Sequence, residues 1–171
     1  MYQITGNIYT RRSIRSYRKD PISDNDLKFI LSSGLSAPSG EGVHPLELII
    51  IKSDAAKAKI KDFYEWAGFC IQSPVSVLVC YDKDKIPADY DNDDLGKLDA
   101  AAGVQNMLLR ATKLGIASCW CHALGNVSDY RTLCNLPENI VPVALVVLGY
   151  SDEPFVARDG FDPEKIHNEK W

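Results

Sequence analysis

Asp99-Ala100-Ala101-Ala102-Gly103-Val104-Gln105-Asn106-Met107-Leu108-Leu109-Arg110-Ala111-Thr112-Lys113-Leu114-Gly115 reads as the greater part of one long helix that begins at Asp93 or Asp94 and ends at Leu114. Acidic residues at its start suit the positive end of the helix dipole, and Gly115 stands where a left-handed C-cap is needed. Leu98, Val104, Met107, Leu108, Ala111 and Leu114 form a broad apolar face, and the run from Ala100 to Gly103 lets another backbone pack closely. A helix this apolar and rich in small residues belongs at the centre of a fold or at a dimer seam.

Working outward, four apolar runs read as strands: Glu47 to Lys52, Val75 to Tyr81, Ile116 to His122 and Val141 to Tyr150. Leu48-Ile49-Ile50-Ile51 is unbroken, as in a strand covered on both faces. Further helices are expected over residues 3–10, from Asp24 through the stripe Leu27, Ile30, Leu31 and Leu35, from Asp54 to Tyr64, and from Ser128, as cap, to Cys134. Trp66, Phe69 and Ile71 add bulk before Pro74, and Asp82 to Asp94 is an acidic surface loop. Ala37 to Pro45 holds two prolines and two glycines, so its backbone can come close to a flat ligand. From Ser151 on there is no sustained period, yet Phe155, Val156, Phe161, Ile166 and Trp171 are large apolar groups for a tail; it is expected to dock on its own or a second subunit. No linker or repeat interrupts the chain, so residues 1–171 read as a single α+β domain.

Arg11-Arg12-Ser13-Ile14-Arg15-Ser16-Tyr17-Arg18 carries four of the seven arginines of a chain with net charge -4. Guanidinium groups match phosphate oxygens two at a time, and the intervening hydroxyl and amides would complete an anion cradle. The other reading is a solvated basic turn paired with Asp20, Asp24 and Asp26. The acidic balance argues against general nucleic-acid binding. No run approaches the roughly 20 apolar residues of a membrane span and no signal peptide is visible, so a cytoplasmic protein is expected. Five cysteines, three of them (Cys80, Cys119, Cys121) in apolar strand-like runs, point to free thiols. Cys119, Cys121 and His122 lack structural zinc spacing, so no metal site is expected. Cys119 and Cys121 share one face of a strand, an awkward span for a disulfide.

Several of these stretches together resemble the nitroreductase family of FMN-dependent flavoproteins, in its short form. Arg11-Arg12-Ser13-Ile14-Arg15 resembles the family's R-R-S-x-R opening, and Ala37-Pro38-Ser39 through His44-Pro45 its A-P-S-x-x-N-x-Q-P loop. Asp99 to Leu109, then Leu114 to Trp120, resemble its central helix and following strand. Leu136-Pro137-Glu138 with Val141 to Tyr150 resembles the last core strand, and Phe161 to His167 with Lys170-Trp171 the C-terminus.

The resemblance implies a three-layer α+β fold, a central mixed β-sheet flanked by helices, with the C-terminal tail docked on the partner subunit of a homodimer. It implies that Arg11, Arg12, Ser13 and Arg15 hold the FMN phosphate and ribityl chain, and that Pro38 and Ser39 line the isoalloxazine from the other subunit. Backbone amides of Cys121, His122 and Ala123 would face flavin N5 and O4, and Arg158 would add a phosphate contact if the tail is docked. The implied activity is hydride transfer from NAD(P)H through flavin N5 to a nitroaromatic, quinone or similar acceptor by a ping-pong cycle, the flavin doing the chemistry. The pattern is broken at Gly42, His44 and Leu46, which stand for the loop's Asn, Gln and frequent Trp, and at His122, which stands for Gly. His122 is a candidate proton donor, or only a side chain turned aside while its amide works. A flavin carrier or redox sensor with little turnover is the alternative, as is a member specialised for dehydrogenation or dehalogenation.

Overall fold

The computed structural model describes residues 6–88 and 92–171. Of the helix expected over 3–10, residues 3–5 lie outside that range, as do 89–91 of the acidic loop; α1, Asn7–Thr10, is what is described of the former. The arginine run then leads to α2, Asp24–Leu35, where the Ser23 hydroxyl accepts the Asp26 N–H at 3.0 Å and donates to its carboxylate at 2.8 Å. β1, Leu46–Ile51, follows a single tight turn at Gly40–Gly42. α3, Asp54–Phe63, starts at a Ser53 cap, and an irregular helical stretch over Glu65–Gln72 delivers the chain to β2, Val75–Asp82. The long helix is α4, Asn92–Lys113, closed by Gly115 at φ 70°. β3, Ala117–His122, α5, Val127–Cys134, and β4, Ile140–Gly149, complete the order.

The strands pair antiparallel in the order β1-β2-β4-β3, with Leu46 opposite Tyr81, Val75 opposite Leu148 and Ala117 opposite Gly149. The mixed character comes from a parallel bridge between Ser13 and Ser118, where the arginine run lies along β3. Alternation along the strands builds two cores. Val77, Val79, Val146 and Leu148 face α2 and α4, meeting Ile30, Val104, Met107 and Leu108. Leu78, Cys80, Leu145 and Val147 face the α3–α5 side, meeting Ile60, Cys70 and Tyr130. This is a helix–sheet–helix sandwich. All five cysteines are free, and among the described residues no helix is long and apolar enough to cross a membrane.

Some sequence expectations need correction. Leu98 is 67% exposed and Leu35 is exposed, so each lies beyond the edge of the apolar stripe it extends in sequence. Trp66 is 85% exposed; Ala67 and Cys70 fill the core beside it. α5 begins a residue early, with Ser128 already inside it, and Asn126 at its start donates its side-chain amide to the Phe63 carbonyl at 2.9 Å. The tail is irregular from Ser151 apart from a turn at Pro163–Lys165; Phe155 packs on the second core while Val156, Phe161, Ile166 and Trp171 are exposed.

Candidate functional site at the open edge of the sheet

β3 is an edge strand, and its free side is where the arginine run docks. The Ile14 N–H donates to the Ser118 carbonyl at 3.0 Å, so the backbone groups of Ser118 point off the edge. In an antiparallel ladder these groups alternate, so Trp120 and His122 present theirs to the same open side while Cys119 and Cys121 turn theirs to β4. An edge strand's free N–H and C=O groups are ready for a ligand. The Ala123 N–H is already committed to the Val143 carbonyl at 2.9 Å. Of the three amides expected to face a ligand, His122's is therefore the one on the open edge.

Beside this edge lies a cavity of about 360 Å³ lined by Arg11, Ser13, Gln105, Leu108, Trp120 and His122. Arg11 and Ser13 come from the arginine run, Gln105 and Leu108 from α4, and Trp120 and His122 from the α4-facing side of β3. The arginine run divides in use. Arg18 is structural: it pairs with Asp20 at 2.8 Å and Asp152 at 2.7 Å. Asp24 instead meets Lys52, so the alternative of a basic turn paired with local carboxylates describes Arg18 alone. Among the described residues, Arg11, Arg12 and Arg15 make no ion pair with a carboxylate. Arg12 donates to the Arg11 carbonyl at 2.6 Å and Arg15 to that of Ser13 at 3.2 Å.

The local field is legible in the thiols below. Cys119 is held below the ordinary thiol value, first by the Cys121 S–H and then by the charges of Arg15 and Arg11 and the Ser13 hydroxyl; Cys121, as the donor of that pair, is pushed up. Three members of the arginine run thus converge on one point of β3. Tyr64 lies near it too. Burial and the two thiols push its phenol up, and the His122 backbone N–H facing the hydroxyl pulls it the other way.

Arg158 donates its N–H to the Tyr9 carbonyl at 2.9 Å, which sets this part of the tail beside the start of the arginine run. Pro38 and Ser39 do not line the cavity of their own chain. Their loop is fixed elsewhere: the Ser39 hydroxyl accepts the His44 N–H at 2.9 Å, and the Gly40 N–H donates to Asp99 Oδ1 at 3.0 Å. Sequence reading gave no site role to Gln105, Tyr64 or Asp99. Asp99 had a signal, a lone carboxylate in an apolar Ala/Gly run; Gln105 and Tyr64 had none.

The model of the nitroreductase family matches residues 8–67 and 64–150. A protein of Archaeoglobus fulgidus provisionally named NADH dehydrogenase/NAD(P)H nitroreductase is 35% identical over 170 residues, covering 96% of each chain. An FMN reductase of Bacillus subtilis, named as using NAD(P)H, is 22% identical over 185 residues, covering 99% of this chain and 74% of its own. Among solved structures, one from Clostridium acetobutylicum, provisionally named NADH oxidase, superposes with TM-score 0.89 at 27% identity over 96% of this chain and 99% of that one.

Proposed function

Because the chain belongs to the nitroreductase family, we propose that it is an FMN-dependent oxidoreductase moving hydride from NAD(P)H to a small electron-poor acceptor, a nitroaromatic, quinone or similar compound. The observation that carries this reading is the meeting of unpaired guanidinium groups with a free strand edge. Among the described residues Arg11, Arg12 and Arg15 have no carboxylate partner although the chain carries net charge -4, and Arg11 and Ser13 line the cavity beside the strand edge to which the run is bridged. That combination fits a ligand with a dianionic end and a flat, acceptor-rich body.

FMN, when bound, supplies the two-electron hydride chemistry. The chain's own residues bind and orient. Arg11, Arg12, Ser13 and Arg15 hold the phosphate and ribityl chain, with Arg158 a further cation delivered by the tail. The His122 amide fixes the ring through a directional hydrogen bond; its imidazole, exposed at the mouth of the cavity, is free to meet an acceptor. Positioning donor and acceptor in turn on one open face accounts for a ping-pong cycle. Pro38 and Ser39 reach the ring of a second copy, which makes the working unit a homodimer; exposed Phe161, Ile166 and Trp171 are the groups such docking would cover. The free thiols suit a reducing compartment, the cytoplasm.

Steady-state oxidation of NADH and NADPH by the FMN-loaded protein, with a nitroaromatic and a quinone offered separately, tests the reading. Turnover dependent on both FMN and acceptor is expected. Failure of both nucleotides with every acceptor would leave a flavin carrier in its place.

A further inference from the structure

We propose that Asp99 is a positioning residue, which holds the loop from Ala37 to His44 in the one shape that can present Pro38 and Ser39 to a flavin. The flavin part rests on the function proposed above; the loop part does not.

The loop is built against its backbone preferences. Glu41 and His44 stand at φ 50° and 46°, and Gly42 at 68°, so three residues of four lie in the left-handed region and two of them carry side chains. Such a conformation persists only when its surroundings fix it. Two side-chain hydrogen bonds do so, beside backbone turns from the Gly42 N–H to the Ser39 carbonyl at 3.1 Å and from the Val43 N–H to the Gly40 carbonyl at 3.2 Å. One is internal, from the His44 N–H to Ser39 Oγ at 2.9 Å. The other ties the loop to the rest of the fold, from the Gly40 N–H to Asp99 Oδ1 at 3.0 Å.

The anchor itself is rigid. Asp99 is 5% exposed, within α4, and its Oδ2 is buried with no hydrogen-bond partner among the described residues. Leu95, one turn earlier on the same helix face, closes on Gly40 so tightly that a Cβ there would stand 2.6 Å from Leu95 Cδ1. The loop backbone therefore lies flush on α4, where the Asp99 carboxylate receives its Gly40 amide. A carboxylate makes a stronger hydrogen bond to an amide than a neutral acceptor does, and its burial carries a desolvation cost that the Gly40 bond offsets in part. The same helix carries Gln105 to the cavity at β3, so one element sets both halves of the proposed ring site.

The test uses the full chain with Asp99→Ala and Asp99→Asn, the latter keeping an acceptor for Gly40. Cleavage after the exposed Glu41 by a glutamate-specific protease reads the loop directly, and FMN titration reads the site. Asp99→Ala is expected to speed cleavage at Glu41 at least tenfold and weaken FMN at least tenfold, while Asp99→Asn stays within about threefold of wild type in both. Wild-type cleavage in Asp99→Ala, or equal damage in Asp99→Asn, would overturn the proposal. Should Asp99→Ala not fold, amide exchange at Gly40 in the wild type decides: it must be at least tenfold slower than the intrinsic rate of an unprotected amide, and exchange at that intrinsic rate overturns the claim. If the loop readouts behave as expected but the wild type takes up no FMN, the flavin reading fails and the loop anchor stands.

Discussion

Helix α4 crosses both edges of the sheet and treats them differently. Over β1 it closes completely: a Cβ at Gly103 would stand 2.3 Å from the Leu46 side chain and 3.1 Å from the Gly34 carbonyl oxygen. Over β3 it stands off, and Gln105 and Leu108 leave a cavity of about 360 Å³. Gly103 and Gln105 are two residues apart and so lie on roughly opposite flanks of the helix, one meeting the sealed edge and the other the open one. Interiors this well packed do not leave polar-lined space by default. The open edge also holds Arg11, and Cys119 beside it is held low by the Cys121 S–H first and then by Arg15 and Arg11, while on β2 burial, ahead of the charges of Cys134 and Glu47, pushes Cys80 up to about 12.

The thiols away from the cavity give the largest expected effect. Burial raises Cys70 to about 11 and Cys80 to about 12. A thiol raised on folding contributes stability that is complete below its unfolded value and is lost as pH climbs toward the folded one. Stability should fall by on the order of 3 kcal/mol between pH 8.5 and 11, allowing for partial burial, as read by urea midpoints across that range. A flat profile would mean these interior positions feel no more desolvation than the open edge.

Next comes Arg11→Ala at the open edge, expected to weaken FMN by about 1.5–3 kcal/mol, the scale of a charge-assisted hydrogen bond. Its urea midpoint should hardly move. Gly103→Ala is the mirror experiment at the sealed edge: overpacking against Leu46 should cost about 1–2 kcal/mol of stability with little change in FMN affinity. If the two variants exchanged phenotypes, the distinction between the edges would be wrong. The smallest effect is Tyr64→Phe. Removing the hydroxyl that faces the His122 amide should tighten FMN by up to about 1 kcal/mol in the same titration; looser binding would make Tyr64 a ligand contact instead.

Much of the fold could be read from local chemistry. Ser23 and Ser53 cap their helices, Gly115 closes α4, and the four apolar runs are the four strands. Local signals say which face is apolar but not where a neighbour ends, which is why Leu98 and Leu35 are exposed and Trp66 points outward. They also do not give pairing order, so the position of β3 at an edge, on which the site depends, appears only in the fold. The arginine run read either as an anion cradle or as a basic turn, and it takes the fold to show Arg18 held by Asp20 and Asp152 while Arg11, Arg12 and Arg15 meet no carboxylate among the described residues. Asp99 was visible in sequence only as an oddity in an apolar helix; its use needs the Gly40 amide, 59 residues away.

The most direct measurement is the visible spectrum of the purified protein reconstituted with FMN, recorded anaerobically before and after NADH and then NADPH. A bound-flavin spectrum that bleaches with at least one nucleotide, and that is lost on gel filtration of Arg11→Ala, is expected. A protein that retains no FMN, or an Arg11→Ala variant that holds it as wild type does, would contradict the assignment of the open β3 edge as the flavin site.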